Sequence, residues 1–125
     1  MSRRLLPALL LLLLVPATAA QAGIKTFRSP SGQLGCMYYN DPDVPASVRC
    51  EWAGGNDRAV VVERTGRGKR IRITDTVMDP SARVLPYGKA RRFGPIRCTS
   101  RRTGITCKNR ARHGFTVSVQ SQKVF

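Results

Sequence analysis

Basic residues crowd the second half of the chain, and their chemistry is the clearest that the sequence shows. No acidic residue follows Asp79, whereas residues 80–125 contain eleven lysines and arginines. Seventeen of the chain's 22 basic residues are arginine, which suits bidentate contacts with phosphate or carboxylate. Six of these cations lie on or beside one predicted hairpin, namely Arg97, Arg101, Arg102, Lys108, Arg110 and Arg112. We predict that they bind polyanions, the alternative being a solvated cationic face without a ligand.

Residues able to catalyse a reaction are few. His113 is the only histidine, so a two-histidine acid–base site is excluded. A nucleophilic site would have to recruit His113 with Ser29, Ser31 or Asp75, yet no G-x-S-x-G motif is present. We favour a turn before the last strand as the role of His113. The sequence therefore predicts no catalytic residue, no enzyme activity and no cofactor.

Four cysteines, Cys36, Cys50, Cys98 and Cys107, offer the remaining chemistry. An even number of cysteines in a short exported chain is typical of disulfides. Zinc is the alternative, but zinc sites usually place two to four residues between paired cysteines. Here 13 and 8 residues intervene, so we predict disulfides and no metal site.

Short apolar or β-branched runs between turn residues make up the chain after residue 23, and no helical period is evident. The predicted strands are 34–39, 48–52, 59–63, 69–74, 95–99, 105–108, 115–119 and the end of the chain. Residues 40–46, with two prolines, and residues 79–89 are predicted as loops. The fold class is thus all-β, a small antiparallel sheet or sandwich of hairpins stapled by two disulfides.

Strand register indicates how the cysteines pair. A hairpin with its loop at 101–104 places Cys98 directly opposite Cys107, and the 40–46 loop places Cys36 opposite Cys50. Directly opposed residues of a non-hydrogen-bonded pair have Cα atoms about 4.5 Å apart, which a disulfide can bridge. We predict these two local disulfides, while pairing between the hairpins remains open.

The first 22 residues predict export. A basic start is followed by an almost unbroken apolar run from 5 to 15, then by Pro16 and the small-residue stretch 17–22. This order is typical of a cleavable signal peptide, and the apolar run is too short for a membrane-spanning helix. We therefore predict a signal peptide at 1–22 and one secreted β domain at 23–125, periplasmic or extracellular, without a transmembrane span.

Six segments resemble, in order, the motifs of a family of small secreted bacterial domains of unknown function. They are 29–36 (SPSGQLGC), 48–52 (VRCEW), 85–88 (LPYG), 94–100 (GPIRCTS), 103–109 (TGITCKN) and 113–118 (HGFTVS). The family patterns are SPSGN-I-x-C, R-C followed by D or E, L-x-Y-G, C-x-S-x-x-x-G-I/V-x-C and GHGF. Gln33 replaces the usual Asn and Arg112 the usual Gly, and a further cysteine pair of many members is absent. The resemblance implies a secreted, disulfide-stapled β domain and implies no activity.

Two functions are compatible with these features. The first is non-catalytic binding of an anionic polymer or surface, such as nucleic acid, anionic lipid or a cell-wall polymer, through the arginine-rich half. The second is a protein–protein interaction module, for example an inhibitor of an exported enzyme. The second predicts a compact apolar patch around Tyr38, Tyr39 and Trp52, the main aromatic residues of the first hairpin. Tyr38 and Tyr39 should lie on opposite faces of their strand.

Overall fold

The computed structural model describes residue 4, residues 11–14 and residues 23–125. Residues 23–125 form eleven β-strands, which confirms the all-β class. The strands are β1 (Gly23–Arg28), β2 (Leu34–Asp41), β3 (Val44–Trp52), β4 (Arg58–Glu63), β5 (Lys69–Arg72), β6 (Arg83–Val84), β7 (Ala90–Phe93), β8 (Ile96–Arg101), β9 (Gly104–Asn109), β10 (Gly114–Val117) and β11 (Gln122–Val124). Most of the predicted signal peptide lies outside the described residues. Within the described ranges, no helix is long and apolar enough to cross a membrane.

The strands belong to two sheets that pack face to face. Sheet A has the order β5-β4-β3-β2-β1-β6, and sheet B has the order β11-β10-β9-β8-β7. All neighbouring strands are antiparallel except β1 and β6, which run parallel. The buried side chains of both sheets form one core, so the architecture is a β-sandwich.

Turns close the sandwich at two ends. The upper end carries the β1–β2, β8–β9 and β10–β11 turns, which line one crevice together with Tyr87 from the segment between β6 and β7. The lower end carries the β4–β5 and β9–β10 turns, where the Asn109 side-chain amide donates to the carbonyl oxygens of Glu63 and Gly66. Because β8 and β9 are six residues long, the two ends lie about 20 Å apart.

Three aromatic rings join the two sheets. Phe27 of sheet A stacks on Phe93 of sheet B with ring centroids 4.9 Å apart, and Tyr38 lies 5.6 Å from Phe93. Burial of each ring contributes about 1.5–3 kcal/mol relative to exposure. Tyr39 is half-buried on the opposite face of β2, so the predicted separation of the two tyrosines is confirmed.

Both disulfides lie in this core, and both have the predicted pairing. Cys36 faces Cys50 across β2 and β3, and Cys98 faces Cys107 across β8 and β9. The Cα atoms are 4.1 Å apart in each pair, and all four cysteines are fully buried. The zinc alternative is therefore wrong, since no cysteine thiol is free.

A strap of residues 73–79 crosses the outer face of sheet A. Glu51 holds it, because its carboxylate accepts hydrogen bonds from the Thr76 hydroxyl at 2.9 Å and from the Val77 amide at 2.7 Å. Arg49 donates to the same carboxylate at 3.4 Å and to Asp75 at 3.2 Å. Glu51 is 4% exposed, so these bonds replace the water that burial removes.

The structure corrects several predicted boundaries. The predicted loop 40–46 is wrong, because β2 and β3 continue through it to a tight turn in which Asp41 faces Val44. Pro45 is tolerated there because β3 pairs with β4 only from Ser47 onward, so no neighbour needs its missing amide hydrogen. Strands β1, β6 and β7 were not predicted. Each is a short or peripheral strand that buries at most one large side chain, too few for an alternating pattern.

Candidate functional site

The outer face of sheet B carries cations and threonines. Along β8 the buried Ile96, Cys98 and Ser100 alternate with outward Arg97, Thr99 and Arg101. The same alternation continues on the neighbouring strands through the pairing register. We call this surface the cationic face and define it by Arg92, Arg97, Arg101, Lys108 and Lys123, together with Thr99, Thr106 and Thr116.

Three cations form a row across the strands. Arg92 of β7 is directly opposite Arg97 of β8, which is directly opposite Lys108 of β9. Directly opposed residues have Cα atoms about 4.5–5.5 Å apart, so like charges are held side by side. Such opposition is destabilising in a sheet, which makes the row unexpected unless the charges serve another purpose.

A shallow depression of about 240 Å³ lies between these charges. Arg97, Lys108 and Arg101 border it, and Thr99 and Thr106, which oppose each other, provide its hydroxyl groups. The Thr106 hydroxyl also lies 2.8 Å from that of Thr116. The depression therefore offers several N–H donors around a floor of hydroxyls, an arrangement suited to a multiply charged, oxygen-rich ligand.

Acidic residues do not neutralise this face. All seven acidic residues of the chain precede sheet B, which has nine lysines and arginines between 90 and 125. The ion pairs within the described ranges are Arg49–Glu51, Arg49–Asp75 and Arg72–Asp57, all on sheet A and its loops. The sandwich is thus polarised, with mixed charge on one sheet and positive charge alone on the other.

The structure brings together only part of the predicted cation set. Arg97, Arg101 and Lys108 surround the depression. Arg102 lies in the upper β8–β9 turn, where its guanidinium carbon is 5.1 Å from the centre of the Tyr87 ring. Arg110 and Arg112 lie in the lower β9–β10 turn, about a strand length away from Arg102.

Arg92 and Lys123 join the cationic face although sequence reasoning did not single them out. Both lie on the strands at the edges of sheet B, β7 and β11. Arg92 was missed because β7 was not predicted. The predicted strand 95–99 pairs with 105–108 along one edge only. Its free second edge was the signal that could have revealed β7 and, with it, Arg92.

The catalytic alternative is not assembled in this geometry. Ser29 and Ser31 lie in the upper β1–β2 turn, whereas His113 lies in the lower β9–β10 turn. Asp75 belongs to the strap on the outer face of sheet A and accepts a hydrogen bond from Arg49. Over the residues that the structure describes, no group of three His, Cys, Asp or Glu side chains is placed to hold a metal ion.

The apolar patch expected of a protein–protein module does not form from its predicted residues. Tyr38 and Trp52 are each 7% exposed and belong to the core. Tyr39 is half-buried and donates a hydrogen bond to Asp41 at 3.1 Å, which raises the pKa of the Tyr39 hydroxyl. The other clear shift is at Asp79, whose pKa is lowered by hydrogen bonds from the side chain and backbone of Ser81.

The fold and site define a class of small, disulfide-stapled β-sandwich with one acid-free cationic sheet. Comparison with family models places the chain within a known group. The chain belongs to a family of unknown function (DUF6636), whose model matches residues 42–125. A search of curated proteins gave no significant match, and a search of solved structures gave none either.

Proposed function

We propose that this protein is a secreted, non-catalytic binding protein that engages anionic polymers or surfaces through the cationic face. The observation that carries the proposal is the row Arg92–Arg97–Lys108, in which like charges oppose one another on a sheet that contains no acid. An anionic ligand would relieve this repulsion on binding. The local concentration of a polyanion near such a face would also rise through long-range attraction.

Export is part of the same proposal. The signal-peptide pattern at 1–22 and the two buried disulfides both favour an oxidising compartment, because disulfides persist there. The motifs quoted above add a resemblance to secreted domains. Processing of the precursor can be tested by mass spectrometry of the protein recovered after export.

Retention on immobilised polyanions tests the binding function. Duplex DNA, polygalacturonate and anionic lipid vesicles are compared over a series of salt concentrations. The test variant replaces Arg97, Arg101 and Lys108 by threonine. On duplex DNA, loss of three cation contacts should flatten the plot of log K against log salt by about 2.7 units of slope. On every ligand, retention at physiological salt should fall.

A matched control variant distinguishes binding at a specific site from a general effect of net charge. Lys25, Arg64 and Arg83 are exposed and lie on sheet A or its loops, so their replacement by threonine removes the same charge elsewhere. The proposal requires that this control keep most of its retention. Equal losses in the two variants, or retention that does not change with salt, would show that the cationic face is not a binding site.

A further inference from the structure

A second polar recess lies at the upper end of the sandwich, where four distant stretches of chain meet. We call it the turn crevice and define it by Ser31, Gln33, Tyr87, Arg101, Arg102 and Gln120. Its volume is about 170 Å³, less than that of a typical drug-sized pocket. Residues that follow or connect strands of both sheets line its walls. It has no acidic residue in its lining, so its charge comes from the two arginines alone.

Local turn chemistry fixes the rim of the turn crevice. The Lys89 amide donates to the Pro86 carbonyl at 3.1 Å, and Gly88, the third residue of that turn, has φ +80°. This is the geometry of a type II turn, which requires a positive φ at its third residue. Its second residue, Tyr87, is exposed. Opposite, Gly104 is required after the hairpin tip, because a Cβ there would overlap the Val117 carbonyl oxygen.

Arg102 is held in place without being neutralised. Its guanidinium lies over the Tyr87 ring at 5.1 Å, while no hydrogen bond or ion pair from its side chain occurs among the described residues. The N–H groups of Arg102 therefore remain free for a ligand. Tyr87 acts as a positioning residue, since the attraction between cation and ring fixes the direction of the guanidinium.

Hydroxyl and amide groups surround these arginines. The Ser29 and Ser31 hydroxyls lie 3.0 Å apart, and the side-chain amides of Gln33 and Gln120 are exposed at the mouth. An arginine pair suits a carboxylate or a phosphate group, whereas hydroxyls and amides suit hydrogen bonds with alcohol groups. A carboxylated sugar carries both kinds of group within one ring.

Arg101 connects the turn crevice to the cationic face, because it borders both the crevice and the depression between Arg97 and Lys108. A polymer chain lying along the cationic face can therefore place one unit in the crevice. Unpaired nucleic acid is less suited, since its bases bind by stacking on exposed aromatic rings. Tyr87 is the one exposed aromatic ring of the described part, and Arg102 covers one of its faces.

We propose that the turn crevice is a subsite for one carboxylated sugar unit, and that the ligand class of this protein is an acidic polysaccharide. This inference rests on the proposed function of the cationic face. Arg101 and Arg102 bind the carboxylate, and Ser31, Gln33 and Gln120 bind hydroxyls of the same sugar. The outward threonines of sheet B then face the hydroxyls of the units that follow.

Titration of the oxidised protein with a short oligogalacturonate tests the subsite. The ligand should shift amide NMR signals of the upper turns, and the methyl-esterified oligogalacturonate should not. Arg102→Gln should weaken binding about tenfold, the equivalent of one charge-assisted hydrogen-bonded contact. Arg110→Gln is the matched control, because it removes the same charge from an exposed turn at the lower end. It should weaken binding less than threefold.

Tyr87 supplies a second readout. Tyr87→Ser should weaken oligogalacturonate binding about threefold through loss of the cation–ring contact, and Tyr87→Phe should retain the affinity of the unchanged protein. Because Tyr87→Phe keeps the ring and loses only the hydroxyl, this contrast assigns the loss in Tyr87→Ser to the ring face that Arg102 covers. Equal losses in Tyr87→Ser and Tyr87→Phe would contradict the positioning role and with it the subsite.

An oligothymidylate of the same charge distinguishes sugar from nucleic acid. The subsite is supported if oligothymidylate binds more weakly than oligogalacturonate and if Arg102→Gln and Arg110→Gln weaken its binding by the same small factor. Binding as tight as that of oligogalacturonate, with the same tenfold loss for Arg102→Gln, would assign the crevice to phosphate and overturn the inference. If polymers bind but both arginine variants behave alike with every ligand, the subsite is wrong while the cationic face stands. If no anionic polymer is retained at all, the proposed function itself fails.

Discussion

Replacing Arg97 by threonine should stabilise the protein even though it weakens ligand binding. Arg97 is the middle member of the row on sheet B, directly opposite Arg92 on one side and Lys108 on the other. Its side chain is exposed, so the substitution leaves no cavity. Threonine also favours the extended backbone of a strand. The dominant change is therefore the removal of two like-charge oppositions.

The size of the effect follows from the two pairs. A directly opposed like-charge pair costs about 0.2–1 kcal/mol, so removing both should raise the free energy of unfolding by about 0.4–2 kcal/mol at low salt. For a domain of about 100 residues, each 1 kcal/mol raises Tm by about 4–8 °C. At 1 M salt the screening length falls to about 3 Å, and the gain should largely disappear.

Thermal unfolding of the oxidised protein at about 10 mM and 1 M salt measures this gain. Arg83→Thr is the matched control, because Arg83 is an exposed strand residue and the residue directly opposite it is Phe27 rather than a cation. It reports the general benefit of lowering the net charge of +15. A gain for Arg97→Thr no larger than that of Arg83→Thr, or one that persists at 1 M salt, would refute the argument that the row is locally strained.

Three further predictions concern the scaffold. The double variant Cys98→Ala/Cys107→Ala should lower the free energy of unfolding by about 2.5 kcal/mol in the chain-entropy model, measured by urea denaturation at equal pH. Glu51→Ala should cost about 1–3 kcal/mol, because it leaves the buried donors of the strap unpaired, and hydrogen exchange should quicken at the Val77 amide. Arg112→Gly should raise the free energy of unfolding by about 1 kcal/mol or leave it unchanged, because Arg112 has a left-handed φ of +64°. A clear drop in Tm would contradict the idea that the backbone is strained at this position.

Sequence reasoning succeeded where a short loop fixed the register. A loop predicted at 101–104 placed Cys98 opposite Cys107, and that disulfide is found, with Arg101 facing Gly104 across the hairpin tip. Sequence reasoning was less successful for strands that have no alternating pattern of buried and exposed residues and that form by pairing with a neighbouring strand. β7 buries only Phe93 at its end, and its place in the fold comes from pairing with β8.

The turn crevice was not predictable in the same way. Its walls come from the 29–34, 101–104 and 118–120 stretches and from Tyr87, which are brought together only when sheet A packs on sheet B. The first two stretches and Tyr87 were recognised as turns or as parts of motifs, whereas residues 118–119 were predicted as the end of a strand. No pattern within any one of them indicates that they share an end of the sandwich. Arg112 is a different case, because the structure explains a feature of the motif. The left-handed φ at this position accounts for the glycine that the family motif usually has there.

Different surfaces of the sheets stabilise the fold and carry the binding function that we propose. The disulfides, the stacked rings and the aliphatic core all lie between the sheets, so they stabilise the sandwich without using any outward position of sheet B. Those outward positions are free to carry polar residues of either sign, and mixed signs would be more stable. Because every charged residue among them is a cation, the surface is less stable than one of mixed charge, and the difference is the one that anion binding requires. Arg97→Thr should raise the free energy of unfolding at low salt and lower retention on anionic polymers at physiological salt. The two measurements report the two sides of this trade-off between stability and binding.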